Sequence, residues 1–211
     1  MSKTSLVATA LCGASLISSH ADILISQYYE GTSFNKFVEL HNPTAADVTL
    51  TGYRLTLWTN SSRENWKTDG STPSNSLDLS GVTIPAGGYY LLGHPSATIP
   101  SYATPNGGNS NIINFNGDDS VVLYKSNTYT AAEILDAISI SATLQGQDKS
   151  FYRLNNEVGY TTVSGENITA FVTSATPVWG EKSLADVAAA TTTDPWYLAS
   201  QAAPTHIHSR G

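Results

Sequence analysis

The sequence predicts an all-β protein, a sandwich or barrel of antiparallel strands. Three observations predict it. Short runs of alternating apolar and polar residues, the pattern of a half-buried strand, recur about eight or nine times. Clusters of Gly, Pro, Asn and Asp separate these runs, and no stretch carries a helical period of convincing length. No internal repeat or linker divides the chain, whose 211 residues suit one all-β domain.

The elements follow in order. Asp22 to Tyr29 is the first strand, with Ile23 and Ile25 on one face, and Glu30 to Ser33 is a turn. From Phe34 to Trp58 the chain gives its clearest pattern. Lys36, Val38 and Leu40 point one way, and Phe37, Glu39 and His41 the other. Pro43 then breaks the run, because its ring fixes φ and leaves no N–H for a ladder, while Asn42 can bond its own following backbone. Asp47 to Leu50 extends again, Thr51-Gly52 bends, and Tyr53 to Trp58 alternates. Residues 59–76 form a long polar loop containing Trp66. Leu77 to Ile84 alternates up to the turn at Pro85 to Gly88, and Tyr89 to His94 is apolar on both faces, a strand covered on both sides. Residues 95–111 form a second long loop. Asn116-Gly117 then reads as the turn of a hairpin joining Ile112–Phe115 to Ser120–Lys125. Ile134 to Ile140 and Gln147 to Leu154 are further strands, with Thr161–Val163 and Phe171–Thr173 as short ones. Ser183 to Ala190 reads as an irregular ordered segment rather than a helical turn or two, and Trp196 and Tyr197 as a late anchor onto the core.

The ends read differently. Residues 1–21 carry one positive charge at Lys3, a small apolar stretch from Ser5 to Ile17, and Ser19-His20-Ala21 as a cleavage site. This is the pattern of a secretory signal peptide cut after Ala21. Residues 22–203 are then the domain and 204–211 a C-terminal tail. The sole cysteine, Cys12, falls in the apolar stretch, so the mature protein has neither disulfide nor thiol nucleophile. Leu11 before it argues against a lipid anchor. Without Lys3 the 10 basic residues become 9, against 17 acidic ones. That balance opposes phosphate backbones and anionic lipid surfaces, so neither nucleic acid nor membrane insertion after signal removal is expected.

Taken in order, a set of short motifs resembles one family. Asp22-Ile-Leu-Ile-Ser-Gln-Tyr, Phe37-Val-Glu-Leu-His-Asn-Pro-Thr and Leu50-Thr-Gly-Tyr-Arg-Leu come first. Val82-Thr-Ile-Pro-Ala-Gly-Gly-Tyr-Tyr-Leu-Leu, Phe115-Asn-Gly-Asp-Asp-Ser-Val-Val-Leu-Tyr, Leu135-Asp-Ala-Ile and Gln147-Asp-Lys-Ser-Phe-Tyr-Arg-Leu follow. Across residues 22–154 this succession resembles the lamin tail domain as found in bacterial secreted proteins. The resemblance implies an immunoglobulin-like β-sandwich used for binding or packing, with no catalytic residues to carry over. The loops 59–76 and 95–111 depart from it as long insertions. The nuclear role of the lamins does not transfer to an acidic chain with a secretory signal.

Few residue sets suggest chemistry. Asn114, Asn116, Asp118 and Asp119 gather four oxygen-bearing side chains within six residues, as a calcium site needs, although a plain hairpin turn accounts for them too. Glu39 would act as a general base only with a second carboxylate beside it, for which Asp22, Glu30 and Asp136 are the conceivable partners. His206 and His208 share one face of an extended tail, a weak metal-chelating pair or simply a tail, and His41 and His94 end strands. No G-x-S-x-G, H-E-x-x-H, P-loop or G-x-G-x-x-G is present.

The expected function is therefore a secreted, non-catalytic binding or scaffolding module at the cell surface or outside the cell, with a protein or surface polysaccharide partner and no cofactor beyond a conceivable calcium ion. Arg63, Trp66 and Tyr102, on the long loops, are the candidate ligand contacts. Trp66 either pins its loop to the core or, if exposed, offers a stacking platform. A carbohydrate-binding module is the first alternative, and an accessory module of a secreted nuclease or phosphoesterase the second.

Overall fold

The computed structural model describes residues 23–140, 145–154 and 178–199. The expected signal peptide, the strands at 161–163 and 171–173, Asp22, and His206 and His208 lie outside them.

Two antiparallel sheets pack face to face. The strands are β1 (Leu24–Glu30), β2 (Lys36–His41), β3 (Val48–Thr49), β4 (Arg54–Trp58), β5 (Asn75–Asp78) and β6 (Thr83–Ile84). They continue with β7 (Tyr89–Gly93), β8 (Gly107–Gly108), β9 (Ser120–Tyr124), β10 (Ile134–Ser139), β11 (Lys149–Arg153) and β12 (Trp179–Ser183), and a short helix, α1 (Leu184–Ala188), follows. The larger sheet runs β12-β11-β1-β2-β7-β8 and the smaller β10-β9-β4-β5, with β3-β6 as a two-stranded ribbon. All pairings are antiparallel except β7–β8. This is the immunoglobulin-like sandwich that the sequence predicts.

The alternation of β1, β2, β4 and β9 sorts side chains between three layers. Ile25, Tyr28, Val38, Leu40, Leu55, Leu57, Val121 and Leu123 meet between the sheets. Tyr29, Phe37 and Leu91 emerge on the outer face of the larger sheet, under Val187 and Leu198. Trp58, Val122, Tyr124 and Ala137 emerge on the outer face of the smaller sheet, under Trp66. Both sheets are thus covered on both sides, which explains the weak polarity alternation in β1 and β2, where every residue is buried.

Four local expectations need correction. Ile112–Phe115 is not a strand and Asn116-Gly117 joins no hairpin, because β9 pairs with β4 and β10. The segment instead plugs the core: Ile112, Ile113 and Phe115 are buried, and Phe115 lies 4.3 Å from the Tyr28 ring. Leu77–Ile84 is not one strand, since Leu79–Val82 turns at Gly81 (φ +92°) and sends β5 and β6 to different sheets. Ser183 starts a true helical turn through a capping box with Asp186. Finally, Trp179–Ser183 forms an unforeseen edge strand against β11.

Candidate functional site

Strand direction decides which loops meet. β1 ends at Glu30, and its register with β2 and β11 places Lys36 and Lys149 beside it. Phe37 pairs with Gly93, Trp58 with Ser120, and Ser120 with Ser139. The β1–β2 turn, both long loops, the 112–119 segment and the approach to β11 therefore all leave from one end of the sandwich.

Neither long loop stays at that end with its large aromatic side chain. The first drapes over the smaller sheet, tied by Ala131 N–H to the Asp69 carboxylate at 2.7 Å, and buries Trp66 to 1 % exposure. The exposed-platform reading of Trp66 is therefore corrected: the ring is cover for the sheet. The second loop lays Tyr102 over the larger sheet, where its hydroxyl donates to Val187 O (2.8 Å) and its ring stacks on Tyr197 (4.4 Å). Trp196 and Tyr197 belong to a strap over that same face. Gln27 Nε2 donates to Trp196 O (3.0 Å), and Ala199 N–H donates to the Glu39 carboxylate (2.5 Å). Arg63 does remain near the loop end, donating to Asn60 O at 3.1 Å with its guanidinium 3.9 Å from Asp118.

The end itself carries two neighbouring features. One is apolar. Phe34 and Ile99, 48 % and 49 % exposed, are the large hydrophobic side chains that the described residues leave in solvent. Asn35 joins their loops by accepting from Thr98 N–H (2.8 Å) and Ile99 N–H (2.9 Å). His94 stacks on one face of Phe34 at 4.3 Å, and burial and the Lys36 charge push its imidazole below the ordinary value. Its Nδ1 faces the Ser96 N–H at 3.1 Å, as a neutral ring acceptor would.

The other is a polar cleft of about 470 Å³ between the β1–β2 turn, Asn114–Asn116 and Gln147–Asp148. Glu30 and Lys36 line it, paired at 3.1 Å, and Tyr28 donates its hydroxyl to Glu30 at 2.8 Å. Burial pushes the Glu30 carboxyl up to about 7; Lys36 and Tyr28 oppose the rise and Asp119 adds to it. Gly117 fixes the rim. Its φ is +90°, and a Cβ there would stand 2.5 Å from Gln147 N.

Three of the four residues expected to hold calcium meet as a turn: the Asn116 side-chain amide donates to the Asp118 carboxylate (2.7 Å) and to that of Asp119 (3.0 Å). Asn114 and Asn116 line the cleft. Asp119 is buried and accepts from Asn60 N–H (2.9 Å) and Asn116 N–H (3.1 Å), which makes it the organiser of the turn. Among the described residues no three His, Cys, Asp or Glu side chains are grouped to hold a metal. Of the candidate acid–base partners of Glu39, Asp136 lies apart from it. Glu39 lies under the strap, accepting from Ser26 Oγ at 2.6 Å, whereas Asp136 bonds Arg153 and the Ile25 N–H at 2.7 Å, on the core side of the same sheet. Sequence reasoning missed the cleft and the Phe34–Ile99 patch, because both depend on loops distant in sequence.

A family model for the lamin tail domain matches residues 17–141. This chain belongs to that family. Lamin tail domains are non-catalytic immunoglobulin-like domains, in keeping with the sandwich. The match ends before β11, yet β11 and β12 complete the larger sheet of this lamin tail domain and the strap covers its outer face. A search of curated proteins finds no match. No helix among the described residues is long and apolar enough to cross a membrane.

Proposed function

We propose that this lamin tail domain is an exported, non-catalytic binding and scaffolding module that engages a protein or polysaccharide of the cell surface through the loop end of the sandwich. One observation carries the reading. The exposed large apolar side chains, Phe34 and Ile99, lie on two loops that Asn35 joins, and the Phe34 loop also lines the polar cleft through Ser33 and Lys36. An apolar anchor rimmed by polar groups is the usual form of a contact surface, and loops on a rigid sandwich are where such folds bind. The acidic charge and the signal-like N-terminus support a place outside the cytoplasm.

Co-sedimentation with cell envelopes of the producing organism tests this. The protein pellets with the envelopes, and the Phe34→Ser/Ile99→Ser variant stays in the supernatant at unchanged Tm. Absence of wild-type protein from the pellet, or equal pelleting of both proteins, would contradict the proposal.

A further inference from the structure

The cleft has a chemistry of its own. Its lining leaves little room for a charged ligand. An anion would meet the Glu30 and Asp148 carboxylates, and Lys36, the cation of the lining, is already paired with Glu30. A metal ion would face the Lys36 ammonium, and Asp119 close by is occupied by two backbone N–H groups. An apolar ligand would find no exposed apolar side chain, because Phe115 is fully buried and the rest of the lining is Gly31 and polar or charged residues.

What remains is a neutral ligand with donors and acceptors on adjacent atoms. We propose that this cleft binds one uncharged, hydroxyl-rich ring, the terminal sugar of a glycan, held between the Glu30–Lys36 pair and the side-chain amides of Asn114 and Gln147. The proposal rests on the binding-module reading above and names the chemistry of its ligand. Vicinal hydroxyls each donate and accept. The Glu30 carboxylate offers acceptors, and the Lys36 ammonium has three N–H groups, with Glu30 as its side-chain acceptor among the described residues. Asn114 and Gln147 are exposed on the rim, and no other described side chain engages their amides. Each can give a sugar hydroxyl both a donor and an acceptor.

Shape agrees with chemistry. A volume near 470 Å³ falls in the range of about 300–1,000 Å³ of small-ligand sites. The two rims are pinned together before any ligand arrives: Gly146 N–H donates to Gly117 O at 2.8 Å, and Gly117 packs directly on Gln147. A preformed site loses less entropy on binding.

The test is calorimetric and NMR titration of the protein with the methyl glycosides of glucose, galactose, mannose and N-acetylglucosamine, each alone. At least one glycoside is expected to saturate the protein, shifting the side-chain amide signals of Asn114 and Gln147 and the backbone of the 30–36 turn. Asn114→Ala and Gln147→Ala, both rim changes that leave the fold intact, each weaken that binding about tenfold, the worth of a lost hydrogen bond or two. Phe34→Ser leaves it unchanged. Failure of all four glycosides to bind, or equal binding by both rim variants, would overturn the sugar site. If envelopes still capture the protein in a Phe34-dependent way, the sugar site alone has failed. Glycoside binding without envelope capture would keep the cleft and remove the surface role.

Discussion

Arg153 of β11 and Asp136 of β10 form a fully buried ion pair that joins the two sheets at a flaw in β1. The register of β1 against β2 shifts between Ile25 and Gln27, which leaves Ser26 as the extra residue, and pairing of β1 with β11 begins only at Gln27, so the ladder with β11 does not reach Ile25. Asp136 accepts the Ile25 N–H at 2.7 Å and Arg153 Nε donates to Ile25 O at 3.0 Å, so the pair satisfies the bulge from both sides. The guanidinium also lies 4.5 Å over the Trp179 ring of β12. Burial pushes the Asp136 carboxyl above its ordinary value, opposed by Arg153 and by the Ile25 and Ala137 N–H groups. Removing one partner strands the other charge. Asp136→Ala is expected to cost about 3–5 kcal/mol, read as a lower urea midpoint. Asp136→Leu/Arg153→Met should cost less than the sum of its single changes.

Glu30 sets a pH dependence. Its carboxyl titrates at about 7 when folded against 4.5 as its ordinary value. The native state therefore holds a proton through that window while the unfolded chain does not. The Glu30 contribution to stability is fully present below about pH 4.5, falls as pH rises toward 7 and is flat above it, a total on the order of 3 kcal/mol. The groups facing it are Lys36, Tyr28 and Asp119. A Tm-against-pH series for the protein and for Glu30→Gln should show this loss in the former and not in the latter. Parallel curves would mean that the carboxyl titrates normally.

Trp66 acts through packing. Trp66→Ala is expected to destabilise by about 3–5 kcal/mol, as deletion of a buried large aromatic does. Trp58, Trp66 and Trp179 are all buried and Trp196 is half-buried. Acrylamide should therefore quench Trp196 first, and Trp66→Phe should raise the quenched fraction, because it removes a shielded emitter. A fall in that fraction would return Trp66 to the surface.

Gly117 keeps the cleft rim closed. A side chain there combines a left-handed backbone with a contact of 2.5 Å to Gln147 N. Gly117→Ala should cost more than about 1 kcal/mol and disturb the amide signals of Gly146 to Asp148 before those of β4.

Much of this architecture was legible in the chain. The alternation in Lys36–His41 and Arg54–Trp58 placed Val38, Leu40, Leu55 and Leu57 correctly on the core, because period two is a property of the strand itself. The motifs Leu135-Asp-Ala-Ile and Ser150-Phe-Tyr-Arg supported the family without revealing that Asp136 and Arg153 meet. Ion pairing across sheets depends on tertiary placement. Asn116-Gly117 misled for a similar reason: local turn chemistry was right, but Ile112, Ile113 and Phe115 gain more as a core plug than as an edge strand. The site was the least legible part. Phe34 and Ile99 are 65 residues apart and look unremarkable in sequence, and the polar loop around Trp66 left both a core-pinning and an exposed reading open, of which the first holds.

Contact with the partner is expected at the loop end of the sandwich. Hydrogen-exchange mass spectrometry with and without cell envelopes tests it most directly. Protection is expected over residues 31–36 and 94–99, with the β3–β6 ribbon at the opposite end unchanged. Protection confined to β3–β6 and residues 85–88, with none around Phe34, would contradict the account.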